Sequence, residues 1–193
     1  MDSSADMTTF SSAGKKIACF GSRETPGPIL TLMTELAQVL VERGALLASG
    51  HADGADWAFE QGAAQEKPEA FTVCLPWRRY NQALPIHPRA KVVCLAELTR
   101  PVQQNYLARA QVHHPGWHYL TPGGRLLHGR NMLIAEGARA GFCYLNHKKT
   151  GGGGSGQCYR VLRAANVPVW DLATTEGRAM AERIIFAAQK KSP

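Results

Sequence analysis

Three glycine-rich stretches carry the residue types that hold phosphate. They are Gly21-Ser22-Arg23-Glu24-Thr25-Pro26-Gly27, Ser49-Gly50-His51-Ala52-Asp53-Gly54-Ala55-Asp56 and Gly151-Gly152-Gly153-Gly154-Ser155-Gly156-Gln157. Glycine lets a ligand lie directly against main-chain N–H groups, because a side chain would occupy the ligand's volume. A stretch of this kind that leads from a strand into a helix adds the helix's free N–H groups and the positive end of its dipole. Ser155 contributes a hydroxyl donor. The run Gly-Gly-Gly-Gly-Ser-Gly also suits a flexible linker, but its place between an apolar strand and a helix favours a phosphate turn.

Other constellations offer less. Pro115-Gly116 interrupts the helical spacing that would align His113, His114 and His118, and no Cys or acid joins them, so no metal site is expected. Ser22 and Ser155 have no His and acid partners at a recognisable spacing, so no nucleophilic triad is expected.

The net charge of +7 is concentrated. Residues 77–130 hold eight basic side chains against one acid, Glu97, together with five of the seven histidines and Trp77, Tyr80, Tyr106, Trp117 and Tyr119. Cations interleaved with rings suit a polyanion that carries bases, and they suit a solvated basic face equally. Trp77, Arg78 and Arg79 are the candidates for a lid or a strand-binding surface.

The elements that must position these groups follow from apolar patterning. Runs at 15–20, 45–49, 71–75, 92–95, 142–145 and 167–170 read as buried strands. Ile29, Leu32, Met33, Leu36, Val39 and Leu40 recur at helical spacing up to Gly44. Further helices are expected after Asp56 to about Glu66, over 102–112, 126–138 and 157–165, and at the C-terminal end. Strands alternating with helices predict one domain, an α/β, Rossmann-like doubly wound and mainly parallel sheet with helices on both faces. Its turns gather at the carboxyl edge, where ligands bind. Residues 1–14 read as a disordered leader, 15–190 as the domain, and 77–124, broken by five prolines, as an irregular insertion.

At 193 residues the chain suits one core. It has no apolar run of the roughly 18–20 residues that a membrane helix requires, so a cytoplasmic protein with no membrane partner is expected. Five widely spaced cysteines in apolar runs read as reduced core residues.

In motif order the chain resembles the SLOG-type Rossmann-like superfamily, which joins DprA/Smf DNA-processing proteins, LOG phosphoribohydrolases and YspA-like nucleotide-binding proteins. The matching pieces are Gly21-Ser22-Arg23 with Thr25-Pro26, the stretch from Ser49 to Asp56, Arg130-Asn131-Met132-Leu133-Ile134-Ala135, and Gly152-Gly153-Gly154-Ser155-Gly156-Gln157. The DprA and YspA branches match best. The resemblance implies a ligand lying across these turns, with Arg23 and Arg130 on its phosphates, whose oxygens their planar guanidinium forks match, while Asn131 either supports a loop or touches the ligand. It implies a ligand set of Gly21, Ser22, Arg23, Ser49, Gly50, Asp53, Gly54, Arg130, Asn131, Gly153, Gly154, Ser155, Gly156 and Gln157.

One departure bears on catalysis. The superfamily's hydrolases carry a motif resembling PGGxGTxxE, and alignment on Gly153-Gly154-Ser155-Gly156 puts Gln157 at the Thr and Arg160 at the Glu. Losing an acid or base at the glycosidic bond costs about 10²- to 10⁴-fold in rate. The reading therefore leans away from an enzyme, with Asp53, Asp56 and Glu136 as remaining carboxylates and helix capping the expected task of Asp56. The first expectation is non-catalytic binding of a nucleotide or a derivative resembling ADP-ribose or NAD, with no separate cofactor. The alternatives are DprA-like binding of a single nucleic-acid strand and an N-glycosidic hydrolase with a rearranged site. Self-association into a homo-oligomer stays open.

Overall fold

Along the first strand Ile17 and Cys19 enter one core while Ala18 and Phe20 enter another, as the two-residue period of a strand covered on both faces requires. The computed structural model describes residues 12–148 and 153–190. Residues 1–11 of the expected leader, and Lys149 to Gly152 with part of the last glycine-rich stretch, lie outside the described residues.

The strands are β1 (Lys16–Gly21), β2 (Leu46–Ser49), β3 (Phe71–Leu75), β4 (Lys91–Cys94), β5 (Ala138–Tyr144) and β6 (Val169–Asp171). All pair in parallel, in the order β4-β3-β2-β1-β5-β6. The helices are α1 (Gly27–Glu42), α2 (Ala55–Glu66), α3 (Arg100–Val112), α4 (Pro122–Ala135), α5 (Gly153–Ala164) and α6 (Thr175–Gln189). α1, α2 and α6 cover one face through Met33, Leu36, Phe59 and Met180. α3, α4 and α5 cover the other through Tyr106, Met132, Ile134, Cys158 and Leu162. This is the doubly wound α/β domain that the patterning predicts.

Strand order reverses between β1 and β5, whose ends align at Gly21 and Tyr144. Connections leaving such a pair diverge to opposite faces and open a crevice at the carboxyl edge. α1 and α2 meet closely: a Cβ on Gly62 would stand 2.1 Å from the carbonyl oxygen of Thr34. That crossing holds the first two turns side by side.

Some boundaries differ from the sequence reading. α4 begins at Pro122, with Thr121 accepting a bond from the Gly124 amide, and ends at Ala135, just before Gly137 at φ +69°. β5 therefore starts at Ala138, four residues early. α5 starts at Gly153, so Gly153 to Gly156 form its first turn instead of a loop before it. Within residues 77–124, β4 and α3 fall close to the strand at 92–95 and the helix at 102–112 that the patterning predicts, and short 3₁₀ turns are added at Leu95–Glu97 and Trp117–Tyr119.

The five cysteines are free and buried. Burial pushes the Cys74 thiol up to about 11 and those of Cys19 and Cys143 well above their ordinary value. No helix of the described residues is long and apolar enough to cross a membrane.

Candidate nucleic-acid cleft

The turn after β1 closes on itself before it meets any ligand. The Thr25 hydroxyl donates to the Ser22 carbonyl (2.7 Å) and the Glu24 amide to Ser22 Oγ (3.1 Å). The turn after β2 presses against it: Gly54 sits at φ +76°, and a Cβ there would lie 2.7 Å from the carbonyl oxygens of Ser22 and Arg23. Only glycine satisfies both the backbone angle and the contact.

Asp56 fastens the two turns together. Its Oδ1 accepts from the Gly21 amide (3.1 Å) and its Oδ2 from the Gly50 amide (3.2 Å), while Arg130 Nη1 lies 3.4 Å from Oδ2. Asp56 is 3% exposed and Arg130 6%. Burial pushes the Asp56 carboxyl up from its ordinary value, opposed by the Arg130 charge and backbone donors. A Cβ on Gly50 would fall 0.9 Å from Arg130 Nη1, so that glycine makes room for the guanidinium.

Arg130 is incompletely satisfied. Its Nε is buried without a hydrogen-bond partner, and its Cζ stands 5.6 Å from the ring centroid of Tyr80. The Tyr80 hydroxyl accepts a bond from Arg23 Nη2 (3.1 Å), which raises the Arg23 pKa, and Trp77 packs edge-on against Tyr80 at 5.4 Å. The residues after β3 thus form another carboxyl-edge turn that carries a ring between the two arginines.

On the far wall, Asn131 Nδ2 donates to the Gly154 carbonyl (3.0 Å) and to Gln157 Oε1 (2.9 Å). His128 Nδ1 lies 3.2 Å from the same oxygen, and Gln157 Nε2 donates to the Ala110 carbonyl (3.2 Å). Burial lowers the His128 pKa to about 4. A folded-state pKa below the unfolded value near 6.5 contributes stability that is present above 6.5 and is lost as pH falls toward 4. Between pH 7.5 and pH 5, wild type is expected to lose about 1–2 kcal/mol more stability than His128→Phe, measured by urea unfolding of both. Equal losses would show that the ring titrates normally.

These walls enclose a cleft of about 420 Å³ at the ends of β1 and β5, within the range of small-ligand sites. Of the residues singled out in the sequence, Gly21, Ser22, Arg23, Arg130, Asn131, Gly153, Gly154 and Ser155 line it. Phe20, Glu24, Ala52, Asp56, Tyr80, Leu127, His128, Ile134, Asn146 and Cys158 join them. Tyr80 was discoverable from its place after a strand end, whereas nothing in the spacing marks His128.

Ser49, Gly50, Asp53, Gly54, Gly156 and Gln157 do not line the cleft. Ser49 and Gln157 are fully buried, and Gly50 and Gly54 serve packing. Trp77 backs Tyr80 from outside, while Arg78 and Arg79 are exposed beyond it. Arg160, at the hydrolase Glu position, donates to the His113 carbonyl (3.3 Å) away from the cleft. Glu136 bonds Tyr106 and Arg109 elsewhere.

No protein-family model and no curated protein matches the chain. Two solved structures share its fold. One is DNA processing protein A of Helicobacter pylori, reported for its single-stranded DNA binding mode: TM-score 0.61, 16% identity, 92% of this chain and 81% of that one covered. The other is DNA processing protein A of Streptococcus pneumoniae, with TM-score 0.50, 16% identity, 93% of this chain and 57% of that one covered. The chain therefore spans little more than half of the second protein. At the level of fold, the DprA-type resemblance is confirmed. The first expectation, binding of a free nucleotide or an NAD-like derivative, is corrected: both shared folds are DNA-processing proteins, one of them characterised with single-stranded DNA.

Proposed function

We propose that the protein binds single-stranded nucleic acid. One phosphate sits in the cleft between Arg130, Arg23 and the free N–H groups at the start of α5. The observation that carries this reading is Arg130, a cation 6% exposed that lines an open cleft beside a helix N-terminus. A phosphate oxygen offers the cleft-facing side of its guanidinium a charged acceptor. The apolar floor of Phe20, Leu127 and Ile134 suits a base or sugar beside that phosphate.

The strand continues over the turn after β3. Arg78 pairs with Glu97 at 3.4 Å, but with side chains 85% and 51% exposed that bond is worth little and yields readily to a phosphate. Anisotropy titrations of a labelled single-stranded DNA against salt test the reading. Wild type is expected to show a steep loss of affinity with salt. Replacing both Arg78 and Arg79 with Ala is expected to make the log–log slope shallower by about 0.7 per lost contact. A wild-type slope no steeper than that of one phosphate would overturn it.

A further inference from the structure

We infer that His128 Nε2 is a base-reading acceptor, taking a hydrogen bond from an N–H group of one nucleobase in the cleft; this rests on the strand-binding reading above. Two backbone carbonyls fix the argument. The Gly154 carbonyl accepts from Asn131 Nδ2 (3.0 Å), so the Asn131 amide is oriented with its NH₂ toward α5. The Ala110 carbonyl accepts from Gln157 Nε2 (3.2 Å), so the Gln157 amide turns its oxygen back toward α4.

Gln157 Oε1, already accepting from Asn131 Nδ2 (2.9 Å), faces His128 Nδ1 at 3.2 Å. An amide oxygen only accepts, so Nδ1 carries the proton. The buried ring is neutral at pH 7, since its pKa lies near 4. Nε2 therefore presents a lone pair.

His128 lines the cleft, its ring edge-on to that of His114 at 4.2 Å, and Nε2 bonds no described residue. It is not among the sealed, unpartnered atoms, so it keeps access to solvent. Of the other polar groups lining the cleft, Arg23 and Arg130 only donate, the Ser155 hydroxyl donates or accepts, and the Glu24 and Asp56 carboxylates accept. A phosphate oxygen offers Nε2 nothing. A strand can supply the missing donor from a base amino group, a thymine ring N–H or a ribose 2′-hydroxyl. The apolar floor of Phe20, Leu127 and Ile134 favours the flat base.

The test compares strands of equal length and phosphate number: oligo-dC, oligo-dT, an abasic strand and oligo-rU. Wild type is expected to bind oligo-dC and oligo-dT alike about 10-fold tighter than the abasic strand, the worth of roughly one hydrogen bond. His128→Phe removes both ring nitrogens. His128→Asn keeps a donor near the Nδ1 position for Gln157 and has nothing at Nε2, so it separates reading from positioning. Both variants are expected to lose the preference over the abasic strand and keep the salt slope. Independently of variant folding, the wild-type imidazole ¹⁵N spectrum is expected to show the Nε2 resonance moving on addition of oligo-dC and not of the abasic strand.

Equal wild-type affinity for dC and abasic strands, retention of the preference in His128→Asn, a preference that follows the ribose, or an unmoved Nε2 resonance would overturn the inference while leaving strand binding intact. Absence of binding to every strand would overturn both.

Discussion

Arg130→Met is expected to weaken single-strand binding by about 10- to 100-fold and to destabilise the fold by about 3–5 kcal/mol. The first figure is the worth of a charge-assisted contact to phosphate, 1.5–3 kcal/mol. The second is the cost of leaving Asp56 buried without its cation. Methionine matches the arginine stem and leaves the contact with Tyr80 largely apolar. Asp56 then keeps its two amide donors, from Gly21 and Gly50, but loses the charge that opposes its desolvation. Adding Asp56→Asn is expected to recover part of the stability and none of the binding. Urea unfolding and DNA titration of the single and double variants measure the two effects separately. Wild-type affinity in a folded Arg130→Met variant would remove the phosphate from this site.

The second large effect is the converse, a loss of binding without a loss of fold. A Cβ on Gly154 meets only Asn131 Nδ2, at 3.7 Å, so Gly154→Val fits the first turn of α5 and projects into open space. Stability is expected to change by no more than about 0.5 kcal/mol. The side chain then stands where α5 presents its free amides, and affinity is expected to fall about 100-fold. Arg23→Lys is expected to lose less, about 10-fold, because it keeps the charge and gives up only the paired bonds. Calorimetric titration with thermal melts decides between them. A folded Gly154→Val with wild-type affinity would show that this turn does not hold the ligand.

Much of this is legible in the sequence. The apolar runs identified every strand, and the three turns were found because each joins such a run to a helix. Strand order was not legible, since nothing in an all-apolar run says which neighbour it pairs with. The crevice between β1 and β5 follows from that order alone. The start of α5 was placed at Gln157, four residues late, because glycine is a poor helix former. Inside the helix, at 100° per residue, Gly154 and Ser155 face the cleft while Gly156 and Gln157 turn inward. Glycine type was also ambiguous. Gly50 and Gly154 look alike in sequence, yet one makes room for a guanidinium and the other leaves space open. His128 was invisible because its role comes from Gln157 and Ala110, residues 29 and 18 positions away whose proximity only the packing of α3, α4 and α5 creates.

Four of the buried thiols, those of Cys19, Cys74, Cys143 and Cys158, are shielded from oxidants in the folded protein. Thiolate is the form that oxidants and disulfides attack, and a thiol held near 11 or higher presents almost none of it at neutral pH, besides being out of reach. Their reactivity then belongs to the opened chain. The rate at which an excess of a thiol reagent labels these four becomes a clock for opening, one that a bound strand should slow.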